Sequence, residues 1–270
     1  MIDYLAIGHI THDLAVDGYT IGGTVAYSGR TAQALGCRTA VLTSAGPDCD
    51  VQEALPDVAV ESVPAAETTT FENVYLPAGR RQVVHSVAAP LTAEAVPREW
   101  QRASIVHLGP VAGEVDPELV NGFGTALICI TPQGWLREWD AMGNVTPRSW
   151  PQARQILPRA AAVVLSMEDL PNAAMLQQFR RWSRLLVLTE GVDGCTVFLA
   201  EEQRHFPAPG AVEVNPTGAG DIFAAAFFIR LYQTKGNPWE AARFANEIAA
   251  RSVEQPDLPA KILSLEAVEE

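Results

Sequence analysis

Short, almost wholly apolar runs recur along the chain, at Tyr4–Ile10, Thr39–Thr43, Ser104–Leu108, Ala126–Ile130, Ala161–Leu165 and Leu185–Leu188. A strand without a polar side must be covered on both faces, which happens chiefly when helices cross over between parallel neighbours. The intervening segments fit that scheme. Ala26–Leu35 has helical spacing and runs into Gly36, and Pro171–Trp182 repeats the spacing. The C-terminal part reads as two helices, one over Asp221–Thr234 stopped by Gly236, the next from Pro238 toward Val253. The pattern predicts an α/β fold with a mostly parallel sheet covered on both faces.

Two segments break the rhythm. Thr68–Leu76 and Arg81–Ala88 are strand-like and joined by Pro77-Ala78-Gly79-Arg80, as in a hairpin. Leu14–Ile21 alternates in polarity and ends at Gly22-Gly23. Together these predict a small exposed sheet, residues 13–23 with 67–88, hinged at the glycine pair. An edge extension of the main sheet is the other reading. Such a sheet serves either as a flap or as the clasp of a homodimer.

The bulk numbers narrow the partners. A formal charge of −13 on 270 residues argues against nucleic acid, which selects basic surfaces. Lys235 and Lys261 are the only lysines, and neither has the spacing of a Walker phosphate loop. Cys37, Cys49, Cys129 and Cys195 are scattered, so no zinc site or disulfide framework is expected. The start MIDYLAIGHI lacks a basic leader, and the run Ile222–Ile229 is too short to span a bilayer. A cytoplasmic protein, 270 residues in one domain, with no membrane partner, is the expectation.

The chemistry concentrates in Asn215-Pro216-Thr217-Gly218-Ala219-Gly220-Asp221, which runs straight into an apolar helix. Gly218, Ala219 and Gly220 would present uncovered N–H groups at a helix mouth, a setting that suits an anion. Asp221 stands in the same turn. A carboxylate beside an anion cradle makes sense if it takes the proton from a nucleophile attacking a phosphate. Taken alone, the same residues also make a tight turn with a first-turn acid.

That loop resembles the C-terminal signature Asp-Thr-x-Gly-Ala-Gly-Asp of the ribokinase-like, or PfkB, family of small-molecule kinases. Gly22-Gly23 through Leu35-Gly36 resembles the N-terminal signature, and Thr189-Glu190-Gly191-Val192-Asp193-Gly194 is similar to the nucleotide loop Thr-x-Gly-x-x-Gly. The resemblance implies a three-layer α/β/α sandwich with a β-sheet lid, and a kinase moving the γ-phosphoryl group of ATP to a hydroxyl. A sugar or polyol acceptor ranks first and a nucleoside second.

By the same resemblance Asp221 is the general base, and the amides of Gly218, Ala219 and Gly220 form the anion hole. Asp13, Gly22, Gly23 and Tyr27 face the acceptor, with Tyr27 offering an aromatic face. Thr189, Gly191 and Gly194 contact phosphates, and Asn246 lines the adenine pocket. The family's Asn-x-x-Glu, which holds Mg²⁺ through water, corresponds to Ser166-Met167-Glu168-Asp169, so Asp169 and Glu168 are the metal candidates.

The departures are informative. Asn215 replaces the Asp that helps many members bind a monovalent cation, which weakens the expectation of such a cation here. Pro216 replaces Thr, and Tyr27 replaces Asn. A non-catalytic binding protein on the same scaffold is the alternative these changes raise. Arg137 reads as a salt-bridge residue or a ligand contact, and His9 and His12 as loop residues.

Overall fold

The computed structural model describes residues 1–15, 18–76 and 79–266. In chain order the first strands and helices are β1 (Tyr4–Ile7), β2 (Thr11–Ala15), β3 (Gly18–Gly22), α1 (Thr24–Ala34), β4 (Thr39–Ala45), α2 (Val51–Ala54), β5 (Ala59–Pro64), β6 (Thr69–Leu76), β7 (Gly79–Ser86) and β8 (Ile105–Leu108). They continue as β9 (Leu127–Ile130), β10 (Arg137–Trp139), β11 (Val145–Pro147), α3 (Ala153–Ile156) and β12 (Ala162–Ser166). The remainder are α4 (Ala173–Trp182), β13 (Leu185–Thr189), β14 (Cys195–Leu199), β15 (Glu202–Phe206), α5 (Ala219–Gln233), α6 (Pro238–Val253) and α7 (Leu258–Glu266).

Nine strands make the central sheet, in the order β15-β14-β13-β12-β9-β8-β1-β4-β5. Pairing is parallel from β5 across to β13, and only β14 and β15 run antiparallel at one edge. Successive side chains enter opposite cores, as the pleat requires. Tyr4 and Ala6 of β1 join a core with α1, α5, α6 and α7, whereas Leu5 and Ile7 join a second with α3, α4 and Trp135. The sandwich is therefore three layers deep. Among the described residues no helix is long and apolar enough to cross a membrane.

Every apolar run of the sequence becomes a strand of this sheet, with ends shifted by up to three residues. β5, β14, β15 and α7 are additions. β5 and β15 are edge strands with exposed polar residues, and so carry no continuous apolar signal.

A second sheet has the order β3-β2-β6-β7, with β2 parallel to β6. Its strands are spliced into two connections of the main fold. β2 and β3 lie between β1 and α1, and β6 and β7 lie between β5 and β8. Pro77 and Ala78 of the expected hairpin turn, and Val16 and Asp17 of the expected exposed sheet, lie outside the described residues. A short hairpin of β10 and β11 touches β7 through a bridge between Val83 and Asn144.

Candidate active site

Parallel sheets present their functional edge at the carboxyl ends of the strands, above all where neighbouring connections leave in opposite directions. β1 is such a strand, with β4 on one side and β8 on the other. The starts of α1 and α5 meet beside it. Neither helix has a side-chain cap. Each begins on a glycine of positive φ, 88° at Gly23 and 77° at Gly218.

Both glycines are forced by close packing as well as by backbone angle. A Cβ on Gly23 would strike the His9 carbonyl, and one on Gly218 would enter the ring of Tyr27. Gly22 lies against the carboxylate of Asp13, so a side chain there would displace it. Asp13 itself is half-buried on β2, beside Phe71 of β6.

In the loop before α5, Thr217 N–H donates to Asn215 Oδ1 at 2.9 Å, and Ala219 N–H turns inward to Pro216 O at 3.1 Å. Ala219 is thus already bonded, which revises the expectation of three open donors. The amides of Gly218, Gly220 and Asp221 have no acceptor among the described residues. Around the missing Cβ of Gly220 the space is open, so an anion has room to approach.

Asp221 stands half-buried in that first turn. Burial pushes its pKa up to about 6, the nearby charges of Asp169 and Asp13 add to the rise, and Thr24 and Arg137 oppose it. Thr24 acts from the start of α1 through its side chain, and Arg137 through its charge. A carboxyl group balanced in this way can give up or accept a proton near neutral pH.

Arg137 belongs to this cluster rather than to an outer salt bridge. It is half-buried on β10, donates from Nη1 to Val111 O at 3.1 Å, and lies 5.8 Å from the Phe71 ring centroid. The loop that holds it is clamped by Glu114, a buried carboxylate accepting from the amides of His9, Val111 and Ala112 at 2.7–3.0 Å. Glu114 carried no sequence signal, because its partners are backbone amides that any residue supplies.

Other expectations are corrected. Tyr27 is only 6% exposed, and its ring lies under Gly218, so it supports the loop and offers no open face to a ligand. Asn246 is 4% exposed and spends its amide on Phe206 O (2.9 Å) and Pro207 O (3.4 Å), a bond that pins β15 to α6. His9 lies in the loop between β1 and β2, as expected, but is buried there and bonded to Thr69 Oγ1 and Ala89 O. His12 lies on β2, stacked on Tyr19.

Thr189 is half-buried at the end of β13 and donates to Leu165 O at 3.3 Å. Gly191 and Gly194 form the turn into β14, with φ of 59° and 98°. Asp169 is tied down by Ser166 N–H (3.0 Å) and Gln133 Nε2 (3.1 Å), in a capping box after β12.

Among the described residues no group of three or more His, Cys, Asp and Glu is arranged as a metal cage. What is present is a cluster of carboxylates, with Asp169 and Asp13 both close enough to raise Asp221. That donor set suits a hydrated divalent ion arriving with phosphates. Glu168, the other candidate, has an exposed side chain.

The chain was compared with known proteins. The profile of the pfkB family of carbohydrate kinases matches residues 144–262. Inositol 3-kinase of Zea mays is 27% identical over 286 residues, covering 96% of this chain and 74% of that protein. Cytidine kinase of Thermococcus kodakarensis is 24% identical, covering 89% and 91%. Among solved structures, a pyrophosphate-dependent kinase of the ribokinase family, complexed with a pyrophosphate analog and myo-inositol, superposes with a TM-score of 0.83. It is 23% identical and covers 98% of this chain and 100% of that one.

Proposed function

Starting from a chain that is a member of the pfkB family of carbohydrate kinases, we propose that it phosphorylates a hydroxyl of a cyclic polyol of the inositol type, with Asp221 as general base. The broader class, phosphoryl transfer to a sugar, polyol or nucleoside, follows from the family. It sets aside the reading as a non-catalytic binding protein. The single observation that carries the proposal is the Asp221 carboxyl, its pKa pushed up to about 6 beside the open amides of Gly218 and Gly220.

The acceptor lies between Asp13, the Gly22-Gly23 backbone and Arg137, under the second sheet acting as a lid. Asp221 takes the hydroxyl proton as the acceptor oxygen bonds to the terminal phosphorus of the donor. The bond from that phosphorus to its bridging oxygen breaks, and the leaving phosphate keeps the electron pair. Charge gathering on the transferring group is met by the Gly218 and Gly220 amides. Losing one such donor costs about 10²–10³ in rate in other enzymes. Asp169 would hold the water of a Mg²⁺ arriving with the donor, which would offset phosphate charge. The lid excludes water as a competing acceptor.

ATP is the proposed donor, along Thr189–Gly194. A second reading, inorganic pyrophosphate, is favoured by Asn246, whose amide is sealed onto Phe206 and Pro207 instead of facing an adenine. Assays of phosphoryl transfer from each donor to myo-inositol, other polyols and nucleosides separate these readings.

Asp221→Asn is expected to lower kcat by about 10³ or more while donor binding by calorimetry stays within about twofold. Retention of more than about a few per cent of wild-type kcat removes the general-base role.

A further inference from the structure

We propose that the ammonium of Lys261 is a tethered cation that holds the entry to the Gly218–Gly220 turn, so that the protein needs no monovalent metal ion there. Lys261 is one of two lysines in the chain and is fully buried. It shares the buried face of α7 with Leu258, Ile262 and Leu265. An ammonium in that position is costly unless it is fully bonded.

Its bonds go to main-chain oxygens, Asn215 O at 2.5 Å and Ser252 O at 2.8 Å. Among the described residues no carboxylate lies within ion-pair distance of Nζ. Asp257, one turn earlier, supplies the only opposing charge that acts on it, against a burial that lowers its pKa. Carbonyl oxygens converging on a positive charge are what an alkali cation would also use. Here Nζ already takes them, and a second cation would be repelled. The monovalent ion that the resemblance made conceivable does not fit.

Asn215 suits this arrangement. Its Nδ2 donates to Pro256 O at 2.8 Å while its Oδ1 accepts from Thr217 N–H at 2.9 Å. A carboxylate there could accept but not donate, leaving Pro256 O without that bond. Val253 O takes the amides of Val214 and Asn215, so the loop before the turn is fastened on every side to the end of α6 and to α7. Lys261 acts through the loop and touches no reactant. It is a positioning residue.

The turnover arm of the test rests on the kinase reading, and the melting arm does not. Wild-type protein in tetramethylammonium chloride should change turnover and melting temperature by less than about twofold and about one degree when potassium or ammonium chloride replaces it. Lys261→Met should lose about tenfold or more in kcat and melt lower, and potassium or ammonium should restore part of both. Stimulation of the wild type by about tenfold overturns the proposal. So does a Lys261→Met protein that behaves as wild type, or a loss that no cation restores. If Lys261→Met does not fold, the wild-type response alone decides. Absence of turnover with any acceptor rejects the kinase reading and leaves the melting arm to judge Lys261.

Discussion

The two helices that build the site start differently from α2, α4 and α6, which cover the sheet. α2, α4 and α6 are capped by Asp50, Asn172 and Asn237, each accepting from first-turn amides. α1 and α5 begin on bare glycines with no side-chain cap. A cap is worth about 1 kcal/mol, so its omission at both site helices leaves stability unclaimed. The same amides that a cap would satisfy remain open to whatever lies in front of them. At α1 the close wall is protein, His9 and Asp13; at α5 it is open space beside Gly220. Under the proposed function, one bare start would be a hinge and acceptor wall, the other an anion seat.

The strongest challenge to that contrast is Gly218→Ala. It forces a side chain onto a backbone at φ 77° and into the Tyr27 ring. We expect a loss of about 10²-fold in kcat, since the turn must shift by a fraction of an ångström or more. Pairing it with Tyr27→Ala removes the collision and should recover part of kcat. A single variant with wild-type kcat refutes the idea that the turn's shape is needed.

Next comes the proton balance of Asp221. Its folded pKa of about 6 stands above the ordinary 3.8, so the ionised base is lost and kcat/KM falls as pH drops through about 6. Thr24→Val removes the hydroxyl that holds the pKa down, and should move this acidic limb to higher pH. An unmoved limb separates Thr24 from the base. The same shift has a stability consequence of opposite sign. A carboxyl with a raised folded pKa destabilises the fold as pH rises from about 4 to 6, by up to ~3 kcal/mol at pH 7. Asp221→Asn should therefore melt above the wild type at neutral pH.

The smallest effect is the control. Asn237→Ala should lose about 1 kcal/mol of stability, read from denaturant titration, with kcat within about twofold of wild type. A large change in kcat would erase the distinction between capped and bare helices.

Much of this was legible in the chain. The central strands were visible because full burial leaves no polar side on Leu5, Val106 or Val187. The turn before Asp221 was visible because glycines that must be glycines cannot hide. Arg137 was legible only as one of two readings, a salt bridge or a ligand contact, since β10 is three residues long and its partner Phe71 is remote in sequence. The bond of Asn246 was hidden for the same reason, because the carbonyl it reaches is 40 residues away. Lys261 was readable in principle. A lysine in register with Leu258, Ile262 and Leu265 occupies a core position, and such a residue must have found oxygen.

The splice that puts β2 and β3 between β1 and α1 ties two events together. The strand pair feeds through Gly22-Gly23 directly into Thr24, whose side chain lowers the pKa of Asp221. Under the proposed mechanism, any swing of the small sheet about that glycine pair would pull on a residue that acts on Asp221. Cover and proton acceptor would then be geared to one pivot, and a molecule that drew the cover down would also adjust the group that takes its proton.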